Sequence, residues 1–293
     1  LPVYFEPYEI KYEFALTFLD RGESYDISMD LLTIEGNFCH SGASGIHQLG
    51  VGTLTLSRVD GSVAYCVCPP EGFELKDQDL FPQYFQKRQI PRKWLIMNLP
   101  ISVPGIPPIE WIFRGMKVYD FDPRLLKRAV PIMGKTELEK DGSNLAIVIK
   151  NILEDPKRKK EFFSLNREMV PFVDEIAVEK FMDMSLFLKL KEIYSKNKFL
   201  PASMVSDGTI NILALIIALY FESRPVTIIE EPERNIHPFL ISKLVEMLKD
   251  AASSKQVIVT THNPEMVKQV DIGDILLMSR DAEGFSRMSR PFT

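Results

Sequence analysis

The sequence predicts an α/β fold whose core is a parallel sheet, joined to an antiparallel β lobe. Two short apolar runs, residues 226–229 and 256–261, have the length and β-branched content of buried strands. Between them, residues 238–252 carry apolar side chains at helical spacing. Residues 1–68 instead alternate between apolar and polar positions and are broken by turn residues, which is typical of antiparallel strands. A strand–helix–strand unit forms a right-handed crossover, so both strand ends lie on one edge of the sheet.

Composition places the chain among ordinary globular proteins. Of its 293 residues, 45% are hydrophobic and 26% are charged, which suits one large domain or two. A formal net charge of −5 excludes an overall basic footprint for nucleic acid but allows a local basic patch. Three cysteines are too few for a disulfide framework. A low cysteine count of this kind is expected of a cytoplasmic protein. The sequence shows no signal peptide and no apolar run long enough to span a membrane.

The first apolar run ends in two carboxylates, Glu230 and Glu231, and a proline bounds the segment on each side. Acids at the carboxyl end of a parallel strand lie where open α/β sheets bind their ligands. Glu230 is then expected to face Mg²⁺ or its water shell, and Glu231 is expected to face an attacking water. The alternative is a strand end with two solvated acids, and the flanking sequence favours the first interpretation.

The second apolar run is followed by His262. The crossover connection places this histidine on the same edge as Glu230 and Glu231. A lone histidine is more often structural. A histidine that follows a strand beside one ending in two carboxylates favours a functional site.

A third stretch, residues 206–209, opens an apolar helix that is predicted to run to about Phe221. Ser206 or Asp207 can cap this helix, and Gly208 lets a ligand approach the backbone. Exposed amides and the helix dipole together favour a bound anion. The alternative is an ordinary helix N-cap without a ligand.

In order and spacing, these stretches resemble the C-terminal half of an ABC-type ATPase domain. The similarity is greatest to AAA-family ATPases of the OLD and SMC kind, which include DNA-repair and phage-defence proteins. Residues 205–209 resemble the signature motif, 227–232 the Walker B motif and 261–264 the switch-histidine segment. Residues 234–237 fall where the D-loop lies in these proteins.

The resemblance implies an ABC-ATPase-like (P-loop NTPase) core sheet with an antiparallel β lobe and a helical signature subdomain. The expected division is the antiparallel β lobe at 1–68, a variable insertion at 69–114, the helical subdomain at 115–200, and the part with the signature, Walker B and switch histidine at 201–293. From its apolar residues, 275–278 is expected to add a third buried strand to the core sheet.

The resemblance also implies a homodimer that binds and hydrolyses ATP with Mg²⁺, closing on ATP and opening on hydrolysis, in DNA repair or phage defence. Glu230 would position Mg²⁺, Glu231 would orient or deprotonate the attacking water, and His262 would hydrogen-bond the γ-phosphate. Glu230 departs from the family, which usually has aspartate there. The residues implied to contact the nucleotide are Ser206, Asp207, Gly208, Thr209 and Asn235. A nuclease or effector and DNA are the further partners expected, and a membrane is not.

A second departure concerns the P-loop, G-x-x-x-x-G-K-[ST], whose amides and lysine hold the phosphates. The nearest match, residues 129–136, has Ala129 in place of the first glycine and Pro131 inside the loop, so we interpret it as a chance match. The P-loop is therefore expected before Leu1, and this chain alone is predicted to be inactive. The end at residues 290–293 is expected to be a truncation too.

Two alternative functions stay open. A non-catalytic, nucleotide-sensing scaffold would account directly for the missing P-loop. A nuclease that uses Glu230 and Glu231 as metal ligands ranks lower, because the sequence offers no further acid cluster to complete a two-metal site.

Two pairs of residues are candidate metal ligands outside this constellation. His40 and His47 lie in a glycine-rich segment, 36–52, that is predicted to be a mobile loop. Cys66 and Cys68 have the spacing of a metal-binding pair but no companion pair. For both pairs the favoured interpretation is without a metal.

Two basic segments are candidates for contact with nucleic acid. Residues 83–93 mix basic and aromatic side chains, and residues 157–160 are a short basic run. For both, a solvated helix face is the favoured alternative.

Overall fold

The structure is a computed structural model of the chain. It describes residues 3–19, 24–42, 45–59, 61–72, 91, 93–98, 113–181, 184–196 and 198–291. The chain divides into two compact units, Leu1–Arg114 and Gly115–Thr293.

The first unit is a four-stranded antiparallel sheet in which each strand pairs with the next along the chain. Its strands are β1 (Val3–Leu19), β2 (Ser24–Gly42), β3 (Gly45–Val59) and β4 (Ser62–Cys68). Alternate apolar side chains are buried on one face, which is the period-two pattern that the sequence shows. They include Phe5, Ile34, Leu54 and Leu56. This part of the chain thus folds as the antiparallel sheet that the alternation predicts.

The prediction of a mobile loop at 36–52 is wrong for its described residues, 36–42 and 45–52, which form the paired ends of β2 and β3. Gly36 lies opposite Gly52, and both approach their neighbours closely. A Cβ on Gly36 would lie 2.4 Å from the Glu6 carbonyl oxygen, and one on Gly52 would lie 2.4 Å from the Phe38 ring. The glycines here therefore permit tight packing and do not mark a flexible loop.

The second unit contains mixed helices and strands. In chain order they are β5 (Lys117–Tyr119), α1 (Pro123–Leu126), β6 (Val130–Pro131), α2 (Leu145–Glu154), α3 (Pro156–Met169), β7 (Val173–Phe181), β8 (Ser185–Glu192), β9 (Phe199–Pro201), α4 (Asp207–Ile216), β10 (Val226–Glu230), α5 (Ile241–Ala252), β11 (Gln256–Thr260), α6 (Pro264–Val267), β12 (Leu277–Arg280) and β13 (Ser286–Ser289). Within the described ranges, each helix is too short or too polar to cross a lipid bilayer.

A three-stranded parallel sheet forms the centre of this unit, with β10 between β5 and β11. Thr227 of β10 lies opposite Lys117, and Glu230 lies opposite Thr260. Helix α5 connects β10 to β11 and buries one apolar face. The buried residues of that face include Ile241, Leu244, Val245 and Leu248. The predicted strand–helix–strand unit is therefore confirmed, with the strands parallel as the crossover requires.

The prediction of a third core strand at 275–278 is wrong. Instead, β12 pairs with β13 in a separate antiparallel hairpin whose side chains are exposed. The carboxylate of Asp281 accepts hydrogen bonds from the amides of Glu283 and Phe285, at 3.0 and 2.9 Å, and so closes the turn of that hairpin. This local turn gives β12 a partner nearby, and the neighbours of β10 in the parallel sheet are β11 and β5.

Residues 115–200 were predicted to be mainly helical, but the structure combines helices and strands in this region. Helices α2 and α3 precede a hairpin of β7 and β8, and β6 and β9 pair with β8. In β8, Leu186, Leu188 and Leu190 are buried while the residues between them are partly exposed. This period-two burial holds the segment as strand although its charged residues suit a helix as well.

Candidate functional site

The carboxyl ends of β10 and β11 carry the carboxylates and the histidine that the sequence singles out. The amide of Glu231 donates to the Thr260 carbonyl oxygen at 2.9 Å, which holds the two strand ends side by side. The Nδ1 atom of His262 lies 2.9 Å from Oε1 of Glu231. Glu230 is exposed, and in the described part of the chain its side chain forms no ion pair. The fold therefore brings Glu231 and His262 into contact and leaves the Glu230 carboxylate open to solvent.

Glu231 begins a tight turn, residues 231–235, which we name the Glu231 turn. Glu231 has a φ of 44° and Asn235 a φ of 63°, both in the left-handed region that non-glycine residues rarely adopt. The Arg234 amide donates to the Glu231 carbonyl oxygen at 2.9 Å and closes the turn. Such strained backbone persists only where the surroundings hold it, and it is concentrated at functional sites.

The guanidinium of Arg234 holds the Glu231 carboxylate from the side away from His262. Its Nε and Nη2 atoms lie 3.3 and 3.2 Å from Oε2 of Glu231. Its Nη1 atom donates to Oδ1 of Asp120 at 3.0 Å and to the Phe121 carbonyl oxygen at 3.4 Å. Burial alone would lower the pKa of Arg234, but the hydrogen bonds to Asp120 and Glu231 outweigh it and raise that pKa. Both oxygens of Glu231 thus have protein partners.

A buried carboxylate, Glu233, fixes the chain just before His262. It is 8% exposed and accepts a short hydrogen bond from the hydroxyl of Thr261 on its Oε1 atom. The Thr261 hydroxyl oxygen in turn accepts the amide of Asn263 at 2.9 Å. Among the described residues, Oε2 of Glu233 has no hydrogen-bond partner. The sequence gives no sign of this link, because Glu233 resembles any other acid in the run.

The start of α4 is capped by its own side chains. The hydroxyl oxygen of Ser206 accepts the Thr209 amide at 3.2 Å and lies 2.6 Å from the Thr209 hydroxyl. The Nζ atom of Lys127 donates to the Val205 carbonyl oxygen at 2.6 Å and forms a short ion pair with Asp207. Lys127 therefore neutralises the acid in the first turn, which would otherwise repel an anion at this helix end. Sequence analysis missed Lys127, since it lies far upstream.

The first turns of α4 pack directly on the Glu231 turn. A Cβ on Gly208 would lie 2.4 Å from the Asn235 carbonyl oxygen, so glycine is needed for this contact. The buried amide of Asn211 donates to the carbonyl oxygens of Arg234 and Pro232, at 2.9 and 3.4 Å. The structure thus gives Gly208 a packing role, where the sequence suggested close approach of a ligand. It also joins Gly208 and Asn235, which the sequence singled out separately.

An open cleft of about 330 Å³ adjoins the Asp120–Arg234 pair. Its lining is mainly acidic and consists of Asp120, Glu139, Lys140, Asp141 and Ser143. Burial alone would raise the pKa of Asp141, but hydrogen bonds from Ser143 outweigh it and lower that pKa.

The near match to a P-loop at 129–136 does not form a strand–loop–helix unit. It contains the two-residue strand β6 and follows α1, and α2 begins only at Leu145. This geometry supports the interpretation of the segment as a chance match.

The two pairs of candidate metal ligands lie in the first unit. The His40 and His47 rings lie on the paired strands β2 and β3 and meet edge to face, with centroids 5.2 Å apart. The Sγ atoms of Cys66 and Cys68 are 4.0 Å apart on β4. Within the described residues, no group of three or more histidine, cysteine or acidic side chains could hold a metal ion. Most of the basic and aromatic segment at 83–93 lies outside the described residues.

Comparison with known families gives one match. Residues 111–268, just over half of the chain, match the family model described as "AAA domain, putative AbiEii toxin, Type IV TA system". The match includes the Glu231 turn, α4 and His262. No curated protein matches the sequence.

Several solved SMC head structures are similar to the chain at low identity. An SMC head bound to the C-winged helix domain of ScpA is 14% identical, with a TM-score of 0.43 over 88% of this chain and 73% of that one. An SMC head from Thermotoga maritima is 12% identical, with a TM-score of 0.37 over 90% and 75%. An SMC head from Pyrococcus furiosus, bound to the C-terminal domain of ScpA, is 12% identical, with a TM-score of 0.40 over 89% and 77%.

Proposed function

The chain belongs to this family of AAA domains, and from that premise we propose that it binds ATP with Mg²⁺ and hydrolyses it. The observation that carries the proposal is the contact between Glu231 and His262, 2.9 Å apart at the carboxyl ends of adjacent parallel strands. Open α/β sheets bind ligands at this edge. A carboxylate and an imidazole in contact can orient a water and move its proton beside a phosphate.

The residues at this edge suit Mg²⁺ and the phosphate end of a nucleotide. Magnesium prefers oxygen ligands and is usually held by one or two carboxylates together with substrate phosphates and waters. Glu230 offers such a carboxylate, since it is exposed and forms no ion pair in the described part of the chain. Bound Mg²⁺ would neutralise the negative charge that develops on the phosphates. The side chain of His262 is 82% exposed and therefore accessible to an incoming phosphate.

In the proposed reaction, Glu231 orients the attacking water and accepts its proton. His262 then exchanges its contact with Glu231 for a hydrogen bond that it donates to a γ-phosphate oxygen. That exchange frees Oε1 of Glu231 for the water. The positioning of charged groups around an in-line displacement is the main contribution of protein residues to phosphoryl transfer.

The start of α4, residues 206–209, would contact the nucleotide held by a second copy of the chain. Two copies would then meet head to tail as a homodimer that ATP closes and hydrolysis opens. The helix dipole and the Ser206 hydroxyl support an anion here, and Lys127 offsets the charge of Asp207. Asn235 packs against Gly208 and would lie at the same interface. A role in DNA repair or phage defence, with a nuclease or effector as partner, is part of this proposal.

The deciding experiment is ATP turnover by the full-length protein and its Glu231→Gln variant. The variant should lose turnover and accumulate as an ATP-bound dimer, because glutamine cannot accept the proton from water. Glu246→Gln, on the exposed face of α5, is the matched control and should keep full activity. If the Glu231→Gln variant still hydrolyses ATP, then Glu231 is not the general base.

A nucleotide-sensing scaffold that does not hydrolyse ATP is the second candidate. One observation favours it: the 293 residues contain no G-x-x-x-x-G-K-[ST] motif. Nucleotide binding by the wild-type full-length protein without release of phosphate would support this candidate over hydrolysis.

A further inference from the structure

We propose that Arg234 is a positioning residue for hydrolysis, which acts by holding the carboxylate of Glu231 in its working orientation. This inference rests on the proposed function, since it assigns Arg234 to the reaction at that site. Arg234 itself touches no phosphate in this proposal, and its effect passes through Glu231.

The contacts of Arg234 divide the two oxygens of Glu231 between different tasks. Its Nε and Nη2 atoms both lie near Oε2, at 3.3 and 3.2 Å. The other oxygen, Oε1, contacts His262 at 2.9 Å. When His262 turns to the phosphate, Oε1 becomes available to a water while Oε2 remains fixed. Arg234 is then the side chain that keeps the carboxylate in place during the reaction.

Glu231 needs such support because its position is not set by a regular strand. Its φ of 44° lies in the left-handed region, so its backbone bends away from the β conformation of β10, although its amide still donates to the Thr260 carbonyl oxygen at 2.9 Å. Its imidazole partner is 82% exposed, so little packing supports that contact. A carboxylate that swings by about 1 Å from its productive position can cost a reaction about 100-fold in rate.

Arg234 is itself fixed from two directions. Its side chain is anchored by Asp120 at 3.0 Å and by the Phe121 carbonyl oxygen at 3.4 Å. Its backbone carbonyl oxygen accepts the buried amide of Asn211 at 2.9 Å. Burial alone would lower its pKa, but the hydrogen bonds that it donates to Asp120 and Glu231 raise that pKa, so the guanidinium keeps its charge. Asp120 therefore supports Glu231 through Arg234.

A purely structural ion pair is the competing explanation. The side chains of Arg234, Asp120 and Glu231 are 40%, 42% and 32% exposed. Ion pairs this exposed add little to stability, because solvent screens them. Loss of Arg234 should therefore leave folding nearly unchanged and appear in the rate of hydrolysis.

The test is the steady-state kinetics of ATP hydrolysis by the full-length protein with Arg234→Ala and Arg234→Lys. Arg234→Ala should lower kcat about 10- to 100-fold with KM unchanged. Arg234→Lys should restore part of kcat, since lysine keeps the charge but not the fork of donors. Arg167→Ala, on the exposed face of α3, is the control and should match wild type. Thermal unfolding of each variant checks that the fold is intact.

A double-mutant cycle adds a readout that a structural role would not move. Asp120→Ala should lower kcat in the wild-type background and have no further effect in the Arg234→Ala background. An Arg234→Ala variant with wild-type kcat, beside an inactive Glu231→Gln, would overturn the role of Arg234 and leave the proposed function standing. Wild-type protein without turnover would overturn both together.

Discussion

Gly208 and Asn235 meet where the start of α4 lies on the Glu231 turn, so closely that a Cβ on residue 208 would be 2.4 Å from the Asn235 carbonyl oxygen. Residue 208 starts the helix that is proposed to bind phosphate, and residue 235 ends the turn that carries Glu231. Asn211 reinforces this contact from the next turn of α4. The start of α4 and the Glu231 turn are therefore packed together within a single chain.

This contact makes Gly208 sensitive to the smallest added side chain. Gly208→Ala should destabilise the protein by about 1–3 kcal/mol, because the new methyl group overlaps backbone that cannot easily move. Urea unfolding of the purified chain measures the loss. Gly273→Ala is the matched control, since a Cβ there meets nothing within 4 Å. Equal stability of the two variants would show that the contact is not rigid.

The buried amide of Asn211 should matter for stability as well. Asn211→Ala leaves the carbonyl oxygens of Arg234 and Pro232 without this donor and opens a small cavity. The free energy of unfolding should fall by about 1–3 kcal/mol. Hydrogen exchange of the Glu231 turn should accelerate in the variant, and unchanged exchange there would argue that Asn211 holds only its own helix.

Asp141 should make a pH-dependent contribution to stability. Hydrogen bonds from Ser143 lower its pKa in the folded protein below its ordinary value of 3.8. Its stabilising effect is therefore present above that value and is lost as the pH falls through the folded-state pKa. Asp141→Asn should be less stable than wild type at neutral pH, and the difference should shrink in acid. Chemical unfolding at several pH values checks this, and a difference that does not change with pH would contradict it.

The basic run at the start of α3 allows a test of the proposed nucleic-acid partner against the favoured alternative, a solvated helix face. Lys157, Lys159 and Lys160 are exposed near the start of the helix, where the dipole disfavours cations, while Arg158 lies over the Phe221 ring. Replacing the three lysines with glutamine should weaken binding of duplex DNA. The slope of log K against log salt concentration should also become shallower by about 3, because up to three phosphate contacts are lost. Fluorescence anisotropy at several salt concentrations measures both quantities.

The control for this experiment replaces three exposed lysines at other positions, Lys180, Lys196 and Lys198. The change in net charge is then the same in both variants. Equal loss of DNA binding would assign the effect to overall charge and remove the special role of α3.

The sequence by itself determined the elements whose signals are local. The apolar run of β10, the helical spacing of α5 and the apolar run of β11 predicted a parallel strand–helix–strand unit, and the structure contains it. That unit was enough to bring Glu231 and His262 to one edge, because a crossover helix makes the two strands parallel and so places both carboxyl ends together. The serine cap of α4 was equally visible, since a cap depends on residues only three positions apart.

Only the tertiary structure decided which distant segments meet. It placed β5 beside β10, and it left β12 and β13 as a separate exposed hairpin. It joined Arg234 to Asp120 across 114 positions of sequence, and it brought Gly208 into direct contact with Asn235. These contacts follow from how helices and strands pack, and a short apolar run or a single charged residue carries the same local signal whichever partner it finally meets.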